Sequence, residues 1–592
     1  MGSPASESFE SGPASAREAD LIIVSRNVFT GVEARPRPHS ARDRMLPPLP
    51  SIPFPPAPDA GPAAVCVRDG RIIAVVDPDD AHAFRTPATR VIDYGDAFVC
   101  PGLHDAHVHA FHSALYASPL AENFLGESEA DCVRRMRALA ARKPQGWLLS
   151  QGWREYRWNP PVLPSKHSLD AAFPDRPVAM YSGDGHTLWL NSHALEELGV
   201  TRDSTPPQGG SFDRDEAGEL TGIVREAAAM ELLPRIMASF SPDEVTQAYR
   251  GFLRRMASCG ITAICDMSLA ANPGMDFIRD DIWSTLLDAG ELTARVHLFP
   301  TLTSDLERFE AMRRDLRGCM LQACGFKQFF DGVSSQHTAY LKEPYTNARH
   351  PGDRGHLTVP YEQMREMVLR ANGKGYPVRI HTIGDEAIHL ALDIFEEAQA
   401  ACGRPSMRTN GAGTPGRNTL EHLENLQHAD IERLAHLGVV ASVQPPHITL
   451  DPGGPERDLG PERCRWMWPF ATYLSDGVQM AFGTDSPVVN IDPMAGLYTA
   501  VTRQDAATHE PRGGWLPEER IPMRAALSAY TYGSACAAGV ESMVGTLEAG
   551  MAADIAVFDR DLTSNEVRLN PELILDTRAI ATYVAGQQVF GG

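Results

Sequence analysis

Through the middle of the chain, short apolar runs alternate with amphipathic stretches. Eight runs read as strands: Ala97 to Asp105, Ile261 to Met267, Arg295 to Pro300, Gly325 to Phe330, Val378 to Thr382, Thr419 to Leu423, Val439 to Val443 and Gln479 to Thr484. Stretches with helical spacing follow most of them, among them Tyr361 to Asn372, Glu386 to Ala401 and Ala429 to Leu437. Repeated strand–helix units predict a parallel sheet, and eight of them predict an α/β fold of the (β/α)8 TIM-type barrel kind over residues 97–539. In such a barrel the working side chains sit at the C-terminal ends of the strands.

The chain ends are patterned differently. Leu21 to Val24 and Ala64 to Val76 read as strands, the second turning at Asp69-Gly70, and Ala553 to Phe558 and Ala579 to Val584 read as strands again. The economical arrangement is a small β-sandwich domain built from both termini, residues 19–96 and 540–592. Residues 1–18 read as a disordered tail, and the Pro-rich insert from about 35 to 62 is not expected to form regular structure. Between the first and second strands lies far more chain than one crossover helix needs. It predicts a large insertion over residues 111–255, above the barrel, carrying Trp147, Trp153, Tyr156, Trp158, His186 and Trp189. A Gly/Pro-rich loop, Gly403 to Asn418, holds no evident chemistry.

Composition narrows the function classes. A net charge of -22 argues against a nucleic-acid partner. No run approaches the length of a membrane span, and the N-terminus lacks a signal peptide's apolar stretch. The 10 cysteines form no C-x-x-C pair, and several lie inside strand-like runs. They read as reduced core residues of a cytoplasmic protein whose partner is a small molecule.

The candidate chemistry begins at the first strand. His107 and His109 stand at i and i+2, so they share one face where that strand ends. Neutral imidazole is a common ligand of zinc and similar ions. Lys327 lies in strand four, His381 ends strand five, His422 ends strand six and Asp485 ends strand eight. Singly, each has a plain structural reading: Lys327 as a paired strand lysine, Asp485 as a helix cap. Together the six converge on one barrel mouth, and His447 follows strand seven close by.

With these residues, and with the runs Gly185 to Ser192, His381 to Asp385, Ser442 to His447, Gly483 to Pro487 and Val544 to Asp554, the chain resembles the amidohydrolase superfamily, in its N-substituted formamide deformylase-like branch. The resemblance implies that His107, His109 and Asp485 bind a buried metal and that His381 and His422 bind a second. Lys327, carboxylated by CO2, would bridge the two; unmodified, it leaves a site for one ion. Zinc is the expected divalent metal. The implied reaction is hydrolysis of an amide- or formamide-type C–N bond by metal-activated hydroxide. Asp485 would shuttle the proton and His447 or His186 would hold the oxyanion. Trp153, Trp158 and Trp189 are candidates to contact substrate, or else form the insertion's own core; Gln336 and His337 are further substrate candidates. His104 is expected to face away from the metals and His112 to be structural. Ester or lactone hydrolysis stays open on the same site. Deamination is disfavoured, because Gly384 stands where deaminases of this fold carry a Glu three residues after the strand-five His. A metal-free scaffold is the non-enzymatic alternative. A homodimer is expected only by analogy.

Overall fold

The computed structural model describes residues 18–31, 60–183, 185–207, 210–269, 276–316, 318–409 and 412–591. The expected tail, but for its last residue, and nearly all of the Pro-rich insert lie outside these residues; the insert's last two residues already belong to strand Gly61–Arg68.

Both chain ends supply one sheet of eight strands: Leu21–Val28, Gly61–Arg68, Arg71–Val76, Arg90–Asp93, Phe98–Pro101, Ile555–Phe558, Ala579–Val584 and Gln587–Phe590. The hairpin at Asp69-Gly70 forms as the sequence predicts, with φ of 50° and 74° at its two corner residues, the left-handed pair that a tight turn between twisted strands requires. Alternation sorts the side chains. Leu21, Ile23, Val65 and Val67 pack with Ile555, Val557 and Tyr583, while Ile22, Ala64 and Cys66 pack on the other face.

The run expected as strand one, Ala97 to Asp105, is two strands. Phe98–Pro101 pairs antiparallel with Ile555–Phe558 in the terminal sheet. Leu103–Val108, here β1, pairs with Ile261–Met267, β2. Gly102 is the joint: its N–H donates to the Asp554 carbonyl at 2.9 Å, and a Cβ there would run into the Thr262 side chain. Only glycine lets the backbone cross from one sheet to the other so closely.

Two arcs of parallel strands hold the site. The first runs β1–β2–β3, with β3 at Arg295–Phe299, and ends on the short strand Leu321–Ala323. The second runs β4 (Phe326–Phe329), β5 (Val378–Thr382), β6 (Thr419–His422), β7 (Val440–Val443) and β8 (Met480–Phe482). The arcs are stitched together on both sides. Lys327 N–H donates to the Pro300 carbonyl at 2.9 Å and Leu302 N–H to the Lys327 carbonyl at 2.8 Å. Asp485 N–H donates to the His107 carbonyl at 2.7 Å and His109 N–H to the Ser486 carbonyl at 2.9 Å. Helices such as Pro242–Ala257, Tyr361–Gly373, Asp385–Cys402 and His428–Leu437 separate the strands. The first opens on a capping box between Ser241 and Glu244.

The insertion carries a sheet that its sequence did not announce. Strands Ala121–Asn123, Leu148–Trp153, Val178–Ser182, Thr187–Leu190, Gly210–Arg214 and Leu220–Glu226 make six strands in one sheet. Asn123 Nδ2 donates to the Pro487 carbonyl at 2.9 Å, which ties this sheet to the segment just past β8. The loop expected from Gly403 to Asn418 contains a small ribbon, Ser406–Thr409 paired with Ala412–Pro415. Among the described residues no helix is long and apolar enough to cross a membrane.

Candidate metal centre

The expected ligands meet at the C-terminal ends of the parallel strands. The ring centroids of His107 and His109 are 5.3 Å apart, those of His107 and His422 5.1 Å, and those of His381 and His422 4.5 Å. Asp485 Oδ1 lies 3.1 Å from His109 Nε2 and 3.4 Å from His107 Nε2. Strand alternation alone does not aim these groups. The β1–β2 register slips near Asp105, and His422 and Asp485 have φ of 72° and 57°. Such left-handed backbone in non-glycine residues is uncommon and clusters at functional sites.

Each ring is held by one nitrogen, leaving the other for a ligand. His107 Nδ1 bonds Glu421 Oε2 at 2.7 Å, His109 Nδ1 the Met267 carbonyl at 3.0 Å, and His422 Nδ1 the Gln444 Oε1 at 2.9 Å. His381 uses the opposite atom, Nε2, on the Gly332 carbonyl at 3.2 Å. This is how proteins fix the tautomer of metal-binding imidazoles. Burial, reinforced by the Lys327 charge, pushes His107 down to about 4, so the ring is neutral.

The atoms aimed at one another fit a cation. His107 Nε2, Lys327 Nζ, His447 Nε2 and Asp485 Oδ1 are buried and have no hydrogen-bond partner. A buried polar atom left unmade costs about 1–3 kcal/mol; a cation would serve His107 Nε2 and Asp485 Oδ1, and Lys327 Nζ only once it carries a carbamate. His107, His109 and Asp485 offer ligand atoms within reach of one ion, as do His422, His447 and Asp485. Burial lowers Lys327 to about 8, which raises its neutral, CO2-reactive fraction near physiological pH.

Several groups were not foreseen. Glu421 is fully buried between His107 and Arg379, whose Nε lies 2.6 Å from Oε1. Arg379 also reaches the Ala106 carbonyl and Ser442 Oγ. Asp105 accepts from His107 N–H and Thr484 N–H, both at 3.0 Å, and from Thr484 Oγ1 at 2.6 Å, so it clamps β1 to the end of β8. Burial raises Glu424 to about 8, and its Oε1 lies 4.0 Å from His447 Nδ1. The available signal was an ionisable residue inside an apolar strand, Glu421 and Arg379 above all.

The remaining candidates divide. His447 stacks parallel to His422 at 5.9 Å, with Nε2 3.8 Å from Asp485 Oδ2. His186 comes from the insertion and bonds Glu226 Oε2 at 2.8 Å through Nδ1. Glu226 itself has a φ of 50°. Trp153, Trp158 and Trp189 are buried in the core of the insertion, with Trp153 tilted against Trp158 at 6.0 Å and edge-on to Trp189 at 6.2 Å. Their indole N–H groups donate to the carbonyls of Met180, Gly126 and Ser165. All three rings thus pack in the insertion's own core. His337 is likewise turned inward: Nδ1 bonds Asp353 Oδ2 at 2.7 Å and the ring stacks on Tyr345 at 4.1 Å. Neighbouring Gln336 is half-buried, its carbonyl accepting from Arg349. His112 packs edge-on against Phe111 and Phe277.

His104 points elsewhere, to a second cluster. Its Nε2 lies 3.2 Å from His297 Nδ1 and 3.5 Å from Cys265 Sγ, all three side chains fully enclosed.

Residues 90–590 match the amidohydrolase family. The chain is 28% identical over 582 residues to the Arabidopsis thaliana protein LONG AFTER FAR-RED 3, covering 97% of this chain and 92% of that one. It is 26% identical over 548 residues to the N-substituted formamide deformylase of Arthrobacter pascens, covering 88% and 94%. In fold it is similar to a solved, uncharacterized metal-dependent hydrolase from Pyrococcus horikoshii OT3, with a TM-score of 0.70 at 22% identity over 92% of this chain and 98% of that chain.

Proposed function

Because the chain belongs to the amidohydrolase family, we propose that it is a metal-dependent hydrolase that cleaves an amide- or formamide-type C–N bond of a small molecule. The observation that carries this reading is the set of buried, unpartnered atoms on His107, Lys327, His447 and Asp485. They face one another at the strand ends where enzymes of the barrel type work. The two stitched arcs are read as one (β/α)8 barrel, and the terminal sheet, which also takes in Phe98–Pro101, as the β-sandwich built from both chain ends.

His107, His109 and Asp485 would hold one ion, and His381 and His422 a second, bridged by Lys327 as a carbamate. Zinc suits this imidazole and carboxylate set. When bound, the metal supplies a positive charge that brings water toward ionisation near neutral pH and polarises a carbonyl. The chain's own groups do the rest. Asp485, beside both His107 and His109, takes a proton from water and returns it to the leaving amine. His447 donates from Nε2 to the oxygen on which charge develops. His186, fixed by Glu226, is the second candidate for that oxygen. The 10 free cysteines, eight of them buried, support a reducing, cytoplasmic setting.

The test is turnover of a panel of amides, formamides and esters by protein loaded with zinc and by the same protein after chelation. Amide or formamide cleavage that disappears with the metal and returns on reloading is expected. Protein that binds no divalent metal overturns the reading in favour of a scaffold. Cleavage of esters alone moves it to the ester alternative.

A further inference from the structure

Asp485 presents its two oxygens to two different sets of rings. Oδ1 lies 3.1 Å from His109 Nε2 and 3.4 Å from His107 Nε2, while Oδ2 lies 3.8 Å from His447 Nε2. His422, His447 and Asp485 have ligand atoms all within 4.8 Å of one another, as His107, His109 and Asp485 do. Two donors on a tetrahedral zinc stand about 3.3 Å apart, given bonds of about 2.0–2.1 Å. The trio therefore needs to draw in by about 1.5 Å at most, the reach of small side-chain rotations. His381 belongs to no such trio among the described residues. Its Nε2 is engaged with the Gly332 carbonyl at 3.2 Å, and an ion on His381 and His422 gains its third ligand only when Lys327 carries a carbamate. The His447 position has three ligands from unmodified side chains.

The turn after β7 builds that position. Gln444 Oε1 bonds His422 Nδ1 at 2.9 Å, which leaves His422 Nε2 for a ligand. Gln444 also opens the turn Pro445–Thr449, in which His447 N–H donates to the Gln444 carbonyl at 2.9 Å. Pro445 and Pro446 fix the backbone between the two. One residue thus sets both rings, which lie within 6° of parallel. His447 Nε2 is buried and has no hydrogen-bond partner. Glu424 stands behind the same ring, its Oε1 4.0 Å from Nδ1, on the side where Glu421 stands behind His107.

We propose that His422, His447 and Asp485 Oδ2 form an inhibitory position for a second divalent ion of the zinc class, filled when Lys327 keeps its amine. The inhibition rests on the proposed hydrolysis; the binding does not. An ion there occupies the Asp485 oxygen turned away from the first ion and the His447 nitrogen assigned to the developing charge. It also takes His422, so it excludes the productive second ion. Surplus metal then turns the site off through the groups that the reaction uses.

The experiment titrates the full chain, stripped of metal and kept in CO2-depleted buffer, with zinc against a chromophoric chelator. Turnover of whichever amide or formamide the chain cleaves is read in the same solutions. Wild type is expected to bind two ions, the second more weakly, and to lose turnover about 10-fold when free zinc is about ten times the second Kd. His381→Phe should keep the second ion. His447→Phe should weaken it at least about 10-fold, since losing a ligand costs no less than losing a ligand's support, and its turnover should not fall at that zinc level. An unchanged affinity for the first ion shows that the variant site is folded. Where that affinity drops as well, His447→Asn replaces His447→Phe, and loss of both ions in both variants overturns the assignment. A wild type that binds one ion, or a second ion lost in His381→Phe and kept in His447→Phe, overturns it and leaves hydrolysis standing. Turnover that falls with zinc as far in His447→Phe as in wild type overturns the inhibitory role. If nothing is cleaved, the hydrolysis reading fails separately, and the binding titration alone decides this one.

Discussion

Two clusters of histidines share strand β1 and differ in what surrounds them. His107 and His109 meet Asp485, and Glu421 backs His107 from below. His104, on the same strand, meets His297 and Cys265. By residue type the second trio would serve a metal as well as the first. The difference is charge. Beyond burial, which acts first on every ring, the Lys327 charge works against a positive His107 while Glu421 and Asp485 favour one. His104 and His297 instead feel the guanidiniums of Arg379 and Arg295. Burial raises Cys265 to about 12, so the thiol keeps its proton. Open ring nitrogens do not separate the two clusters, because His104 Nδ1 and His297 Nε2 in the deep trio are buried without partners just as His107 Nε2 and His447 Nε2 are at the mouth. Ligand-type residues close together therefore do not define a metal centre without an anion among them.

The sharpest break of that contrast is at Asp485. Asp485→Asn keeps the shape and removes the charge that distinguishes the mouth. We expect turnover to fall about a thousandfold, within the range for a lost acid–base group, measured with metal content determined on the same sample. Unchanged turnover with metal retained would remove Asp485 from proton transfer.

Glu421→Gln tests the charge from beneath. It should weaken metal binding about 10- to 100-fold, the usual effect of losing a carboxylate behind a ligating histidine. It also leaves Arg379 buried without its anion, a cost of about 3–5 kcal/mol in chemical denaturation. Cys265→Ala in the deep trio should cost about 1 kcal/mol and leave the metal-to-protein ratio as it was. A ratio that drops by one ion per chain would break the comparison, because the deep trio would then be a site.

The same contrast explains what could be read from the chain alone. His381, His422 and Asp485 were legible because each ends a short apolar run, and such runs announce themselves. Strand one misled at Gly102: the run Ala97 to Asp105 reads as continuous, and the crossing between sheets depends on Thr262, far away in sequence. Glu421 was missed as a support because period-two alternation opposes it to His422. The left-handed backbone at His422 lets both turn inward. The tryptophans of the insertion read equally as pocket wall or core, because their partners, the carbonyls of Met180, Gly126 and Ser165, are set by tertiary packing that local periodicity does not show.

Removing the metal should act on the mouth alone. At a hundredfold excess over its Kd, an ion bound only by the folded chain adds about 2.7 kcal/mol. Chelation should therefore lower the Tm of wild type by about 2 °C, and should lower that of Cys265→Ala by the same amount. A smaller drop in Cys265→Ala would assign part of the metal's effect to the deep trio.

The smallest effect concerns a third histidine, which separates holding a ring from holding a metal. His337 sits in left-handed backbone, φ 59°, and is kept there by Asp353, whose Oδ2 also accepts the Arg349 N–H at 2.8 Å. Burial acts to raise the Asp353 carboxyl, but the His337 and Arg349 hydrogen bonds outweigh it and hold it below its ordinary 3.8. A depressed carboxylate lends stability above its unfolded value and loses it as pH falls through the folded one. Asp353→Asn should thus cost about 1–3 kcal/mol at pH 7, and the gap to wild type should close as denaturation is repeated below pH 4. Metal content should not change, since His337 faces Asp353 and Tyr345 rather than the strand ends. A gap that is constant with pH would mean that the ring is held by stacking on Tyr345 and not by the carboxylate's charge.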